Sequence, residues 1–111
     1  MRQWEIYKFP HPSADDPHFC VVISPDGIAD NPGYKTINVL PCQTLYAGRE
    51  LKPNEVALDE ADGMDRLTVV KCHMVETFPK ESATERRGPV TPVRVAQIRT
   101  KLAKLFGLPI H

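Results

Sequence analysis

The groups in this sequence able to do chemistry are four histidines, three cysteines, an acidic run and a basic C-terminal third. An unperturbed histidine, with a pKa of about 6.5, exchanges protons at neutral pH. His11, His18, His73 and His111 are therefore the acid–base candidates. No two of them stand at His-x-x-x-His spacing, so the pattern supplies no metal site and calls for no cofactor. Cys20, Cys42 and Cys72 are odd in number, form no Cys-x-x-Cys pair, and lie in or at the end of apolar, strand-like runs. They read as reduced core thiols. Cys72 and His73 are adjacent, and neighbours in a strand point to opposite faces, which counts against a thiol–imidazole pair. Asp59–Asp65 lacks the spacing and closing glutamate of a calcium loop and reads as a solvated turn. Lys80, Arg86, Arg87, Arg94, Arg99, Lys101 and Lys104 form either a face for RNA phosphates or a solvated helix surface. Trp4, Tyr7, Tyr34 and Tyr46 are platforms on which bases can stack, although Trp4 and Tyr7 suit a core or subunit interface equally.

These residues must be positioned by short elements. Trp4–Phe9 alternates large apolar and polar residues, the period of a half-buried strand. Pro10–Pro17 is polar and proline-flanked, hence a loop. Phe19–Ile23 is continuous and β-branched, which predicts a central strand. Ser24–Gly27 and Asp30–Gly33 are turn signals, with Ile28 and Ala29 anchoring the loop between them. Lys35–Leu40 alternates and is expected to end at Pro41. Leu45–Pro53 is a loop, Asn54–Leu58 a short strand, and Leu67–Cys72 a strand that continues past a bend to Phe78. Pro79–Gly88 is a charged connection. The last element is a helix: Thr91 caps it, Pro92 suits its first position, and Gly107 ends it. Val95, Ile98, Leu102, Leu105 and Phe106 form its apolar stripe. Several short strands and one helix predict a mainly β fold, a small antiparallel barrel with the C-terminal helix packed against it.

The whole chain sets bounds on this reading. Its 111 residues fit one domain, 1–111. Fourteen basic and 14 acidic residues cancel, which argues against a purely electrostatic nucleic-acid binder. The cancellation is between unlike regions, acidic from Glu50 to Asp65 and basic from Lys80 to Lys104, so a local positive surface remains available. The N-terminus lacks the apolar core of a signal peptide, and no apolar run approaches the ~18 residues of a membrane helix. The expected location is cytoplasmic, with no membrane partner. Eleven prolines, about twice the usual share of ~5%, mark strand ends and loop borders.

Five segments, in this order, resemble the MazF/PemK/Kid family of plasmid-maintenance toxins. Trp4-Glu5-Ile6-Tyr7 sits where the family opens with Gly-acid-Ile-aromatic. His18 to Pro25 looks like Arg-Pro-x-Val-Val-Leu-Ser-Pro, and Ile37 to Thr44 like Val-Val-Val-Pro-x-Thr-Ser. Leu67 to Thr77 is similar to Ser-Val-Val-Arg/Asp-Cys-x-Gln-Ile-Arg-Thr, and the final helix has a counterpart. The resemblance implies an SH3-like barrel, a homodimer, and a toxin of a type II toxin–antitoxin system. It further implies metal-independent cleavage of single-stranded RNA and blockade by a cognate antitoxin. The gyrase poison CcdB shares the fold, so the alternative is a noncatalytic inhibitor of DNA gyrase or a binding module that has lost cleavage.

The site departs from the family pattern. The family's catalytic Arg falls on His18, and its catalytic Thr on Gln43, with Thr44 one place late. An acid used by some members falls on His73, and Lys71 takes an Arg position. The expectation is that His18 and His73 share the acid–base work. Lys71 then stabilises the phosphorane, and Gln43 or Thr44 holds a phosphate oxygen. Lys80, Arg86, Arg87 and Tyr46 contact the RNA. The competing reading makes His18 a strand-edge residue and His73 a surface residue at a bend.

Overall fold

The computed structural model describes residues 1–10 and 16–109. The strands are β1 (Ile6–Phe9), β2 (His18–Val22), β3 (Thr36–Thr44), β4 (Glu55–Leu58), β5 (Thr68–Lys71), β6 (Glu76–Pro79) and β7 (Thr84–Arg87). The helices are α1 (Asp26–Ala29) and α2 (Pro92–Phe106), with 3-10 turns at Glu60–Asp62 and Lys80–Ser82. The described strands order as β4-β5-β3-β2-β1-β7, with β6 also on β3, and every pair is antiparallel.

The apolar run that predicts a central strand becomes β2, between β1 and β3. Its side chains alternate between two cores, as a period of two requires. Val21 packs with Ile6, Leu40, Val56, Leu58, Val70 and Ile98 under α2. Cys20 and Val22 pack on the other face with Phe9, Ala29, Ile37, Val39 and Phe78. Ala29 is thus the loop anchor expected there, although the Ser24–Gly27 turn signal opens one turn of helix, α1.

Several expectations are corrected. The barrel does not close: β4 and β7 stand at opposite ends of the strand order. Sequence Thr-Glu-Arg-Arg makes β7 a charged, mostly exposed edge, and its pairing with β1 is irregular. Charge and a bulge both discourage further pairing. The 79–88 connection therefore contains a strand that its lack of apolar residues concealed. β3 also runs through Pro41 to Thr44. On one side β3 passes from β6, paired up to Val39, to β5, paired from Cys42. Pro41 lies in the gap between them, where a missing donor is tolerated. The first strand begins at Ile6, because Trp4 takes a left-handed backbone (φ 72°). Much of the Pro10–Pro17 loop, with His11, lies outside the described residues, as does His111.

α2 has the expected Pro92 start and a left-handed Gly107 (φ 65°) at its end. Thr91 precedes it, but its hydroxyl donates to Asp62 Oδ1 at 2.9 Å instead of capping α2. Ile98 is fully buried, worth about 2 kcal/mol of apolar burial, with Val95 and Leu102 packed beside it. Leu105 and Phe106, expected in the same stripe, are half exposed, whereas Ala103 in the last turn is buried. Among the described residues, no helix is long and apolar enough to cross a membrane.

Candidate functional site

β2, β3 and β5 bring their ends together at one side of the sheet. Thr44 pairs with Thr68, and Pro41 with Cys20, two residues after His18 opens β2. A cleft of about 530 Å³ opens here, lined by His18, Gln43 and Thr44, with Tyr46 exposed at its rim. Four expected site residues thus converge from three segments. The cleft also takes in Lys8 from β1, Arg66 before β5, and the acids Asp16, Asp65 and Glu85.

The other candidates stand elsewhere. Thr68 lines the cleft, and Lys71 lies three residues further along β5, about 10 Å at strand rise. Neither Lys71 nor His73 lines the cleft. Lys71 lies 3.6 Å from the buried carboxylate of Glu55. His73 is exposed, its Nδ1 2.5 Å from Asn54 Nδ2. Lys80 donates through Nζ to the carbonyls of Ile28 and Asn31, a tie that holds the α1 loop onto the sheet. Arg86 pairs with the buried Glu5. Arg87 forks onto Asp65 at 2.9 and 3.0 Å, reaches Glu85 at 3.2 Å, and lies over the Phe19 ring.

The electrostatics separate structural from available groups. Arg49 grips Glu55 with two hydrogen bonds, and with the Lys52 N–H this holds its carboxyl down to about 2 despite burial. Burial pushes the Glu5 carboxyl up, but Arg86, the Arg2 N–H and the Tyr7 hydroxyl outweigh it and leave it lowered. Burial raises the Cys20 thiol to about 12, Cys72 to about 11, and Cys42 well above its ordinary value. These are inert core thiols at neutral pH. Among the described residues, no three His, Cys, Asp or Glu side chains are grouped to hold a metal ion.

The cleft wall is fastened from behind. The 3-10 turn at Glu60–Asp62 is boxed by Asp59 and Asp62, each accepting from the other's end of the turn. Asp62, fully buried, also accepts from the N–H and hydroxyl of Thr91 at the start of α2. Gly63 (φ 88°) follows so closely against Gly88 that a Cβ would stand 2.5 Å from the Gly88 nitrogen. The acidic run that resembles a solvated turn is therefore the joint between α2 and the cleft residues Met64, Asp65 and Arg66. Of the residues that sequence reasoning missed, Lys8 had a signal, its polar position in an alternating strand. Arg66 and Glu85 had none, since only the fold brings them to His18.

No curated protein sequence matches the chain. Solved structures share its fold along almost its full length. One is an endoribonuclease in complex with its cognate antitoxin from a mycobacterial species: 21% identity, TM-score 0.82, covering 98% of this chain and 97% of that one. The Mycobacterium tuberculosis toxin MazF-mt6 superposes at TM-score 0.76 with 18% identity, covering 94% and 97%. A MazE–MazF structure from Deinococcus radiodurans gives 0.75 with 19% identity, covering 98% and 97%. At these identities the likeness establishes the fold. A family model for the PemK-like, MazF-like toxin of type II toxin–antitoxin systems matches residues 2–106. The order of strands, the Ser24-Pro25 and Pro41 segments within it, and that match agree: the chain belongs to the PemK/MazF-like toxin family of type II toxin–antitoxin systems.

Proposed function

We propose that this toxin arrests growth by cutting single-stranded RNA in the cleft at His18, without a metal ion. The observation that carries the reading is the convergence of His18, Gln43 and Thr44 in one cleft of a family toxin. His18 takes the proton from a ribose 2′-hydroxyl, whose oxygen attacks the adjacent phosphorus. The bond to the 5′-oxygen breaks, and the imidazolium so formed returns the proton to that oxygen. The products are a 2′,3′-cyclic phosphate and a 5′-hydroxyl. Gln43 and Thr44 donate to the nonbridging oxygens, and Lys8 and Arg66 offset the charge of the phosphorane. Tyr46 offers a stacking face at the rim. Lys71 and His73, outside the cleft, take no part in these steps. The toxin works as a homodimer, and a cognate antitoxin covers the cleft.

Induced expression with separate measurement of RNA integrity and gyrase supercoiling tests this. RNA should fragment while supercoiling persists, and the purified protein should cut RNA in excess EDTA. Arrested growth with intact RNA and lost supercoiling would instead assign the gyrase reading.

A further inference from the structure

Glu85 is out of place by the logic of an RNA cleft. It puts a carboxylate beside a chain of phosphates, and on an unfavourable backbone. Its φ is 48°, a left-handed conformation that L residues with a Cβ rarely adopt. Trp4 is the other non-glycine residue with positive φ among those described, and it stands in a different hollow. Glu85 sits where the pairing of β7 with β1 shifts between Ile6 and Lys8. Irregularities of this kind re-aim a side chain, and strained residues gather at functional sites. Glu85 lines the cleft that holds His18.

Two cations fix its direction. Lys8 Nζ lies 3.4 Å from Oε1, and Arg87 Nη2 lies 3.2 Å from Oε2. Each oxygen therefore has one cationic partner and keeps acceptor capacity to spare. Asp65, whose oxygens are likewise each held by one Arg87 nitrogen, and Asp16 line the same cleft, but neither has the left-handed backbone that sets Glu85 apart. The Arg87 guanidinium, the larger influence, and the Lys8 ammonium also keep the Glu85 carboxyl below its ordinary range. It is an acceptor throughout the neutral range.

An ionised carboxylate repels phosphate and attracts paired N–H donors. Single-stranded RNA leaves the Watson–Crick edges of its bases open to such contacts. Guanine alone presents two adjacent donors there, N1–H and N2–H₂. Adenine and cytosine set one amino group beside an acceptor, and uracil sets one N–H between two carbonyls. We propose that Glu85 is the base-reading residue of this cleft and selects a guanine next to the scissile phosphate. This rests on the ribonuclease reading above.

The test is to map the cut ends of a randomised single-stranded RNA pool for the wild type, Glu85→Gln and Glu85→Ala. The wild type should cut with guanine at one position flanking the break. Glutamine keeps the shape but presents one acceptor and one donor. Glu85→Gln should therefore shift that position toward adenine or cytosine by about tenfold, the worth of one bidentate contact. Glu85→Ala should flatten it, and both should keep cutting. If Glu85→Ala fails to fold, the isosteric Gln variant still decides. Wild-type cutting with no guanine at either flank, or a guanine preference that survives Glu85→Gln, would overturn the assignment and leave the ribonuclease reading standing. A wild-type protein that cuts no RNA would remove that reading, and this one with it.

Discussion

His18 is the one histidine that the fold brings to the cleft, among those described. It opens β2, and Gln43 and Thr44 of β3 line the same cleft. A general acid–base group in such a position contributes about 10²- to 10⁴-fold. His18→Ala should lower kcat/KM on a fluorogenic single-stranded RNA by that factor. His73→Ala should change it by less than about threefold, since His73 lies past the far end of β5. Equal losses in both variants would restore the expectation that His18 and His73 share the acid–base work.

At the scale of elements, the joint between α2 and the 59–66 segment sets the shape of the cleft wall. Asp62 Oδ1 receives two donors from Thr91, and Oδ2 receives the Asp59 N–H. Asp62→Ala leaves the partly buried donors of Thr91 and Asp59 without this partner, which costs about 1–3 kcal/mol. Its urea midpoint should fall accordingly, and RNA cleavage should weaken even where the protein is folded. Gly63→Ala meets two obstacles, a left-handed backbone and the Gly88 nitrogen. The atoms that a Cβ would meet are main chain and cannot rotate away, so a loss of more than about 1 kcal/mol is expected from the same measurement.

For the molecule as a whole, Glu55 is a carboxylate through which acid should lower stability. Its folded-state carboxyl is lowered to about 2, so the stability it contributes is complete above the ordinary carboxylate range. That contribution is lost progressively as pH falls from there toward about 2. Denaturant midpoints measured across this window should drop, and Glu55→Gln should flatten the drop while lowering stability near neutrality. Glu55 ties the 49–55 loop to β5 through Arg49 and Lys71, so the loss loosens the sheet at its β4 edge. The cleft lies along the other stretch of β5, at Thr68.

Local signals were enough for the strands of the core, the helix with its Pro92 and Gly107 boundaries, and the buried thiols, because each rests on periodicity or on the stereochemistry of neighbouring residues. His18, Gln43 and Thr44 stand on segments that resemble the family's, and the fold brings them, with Tyr46, to one cleft. The charged strand β7, the passage of β3 through Pro41 and the open end of the sheet carried no such signal. They depend on which edges are free and on where one partner strand replaces another. The same holds for the site. Lys71 and His73 are separated from His18 by the length of β5, whereas Glu85, 67 positions away in the chain, shares a cleft with it. Sequence alone determines which elements form and which side chains each one offers. Only the tertiary structure decides which of them meet, because antiparallel pairing joins distant segments at one strand end and holds the other end apart.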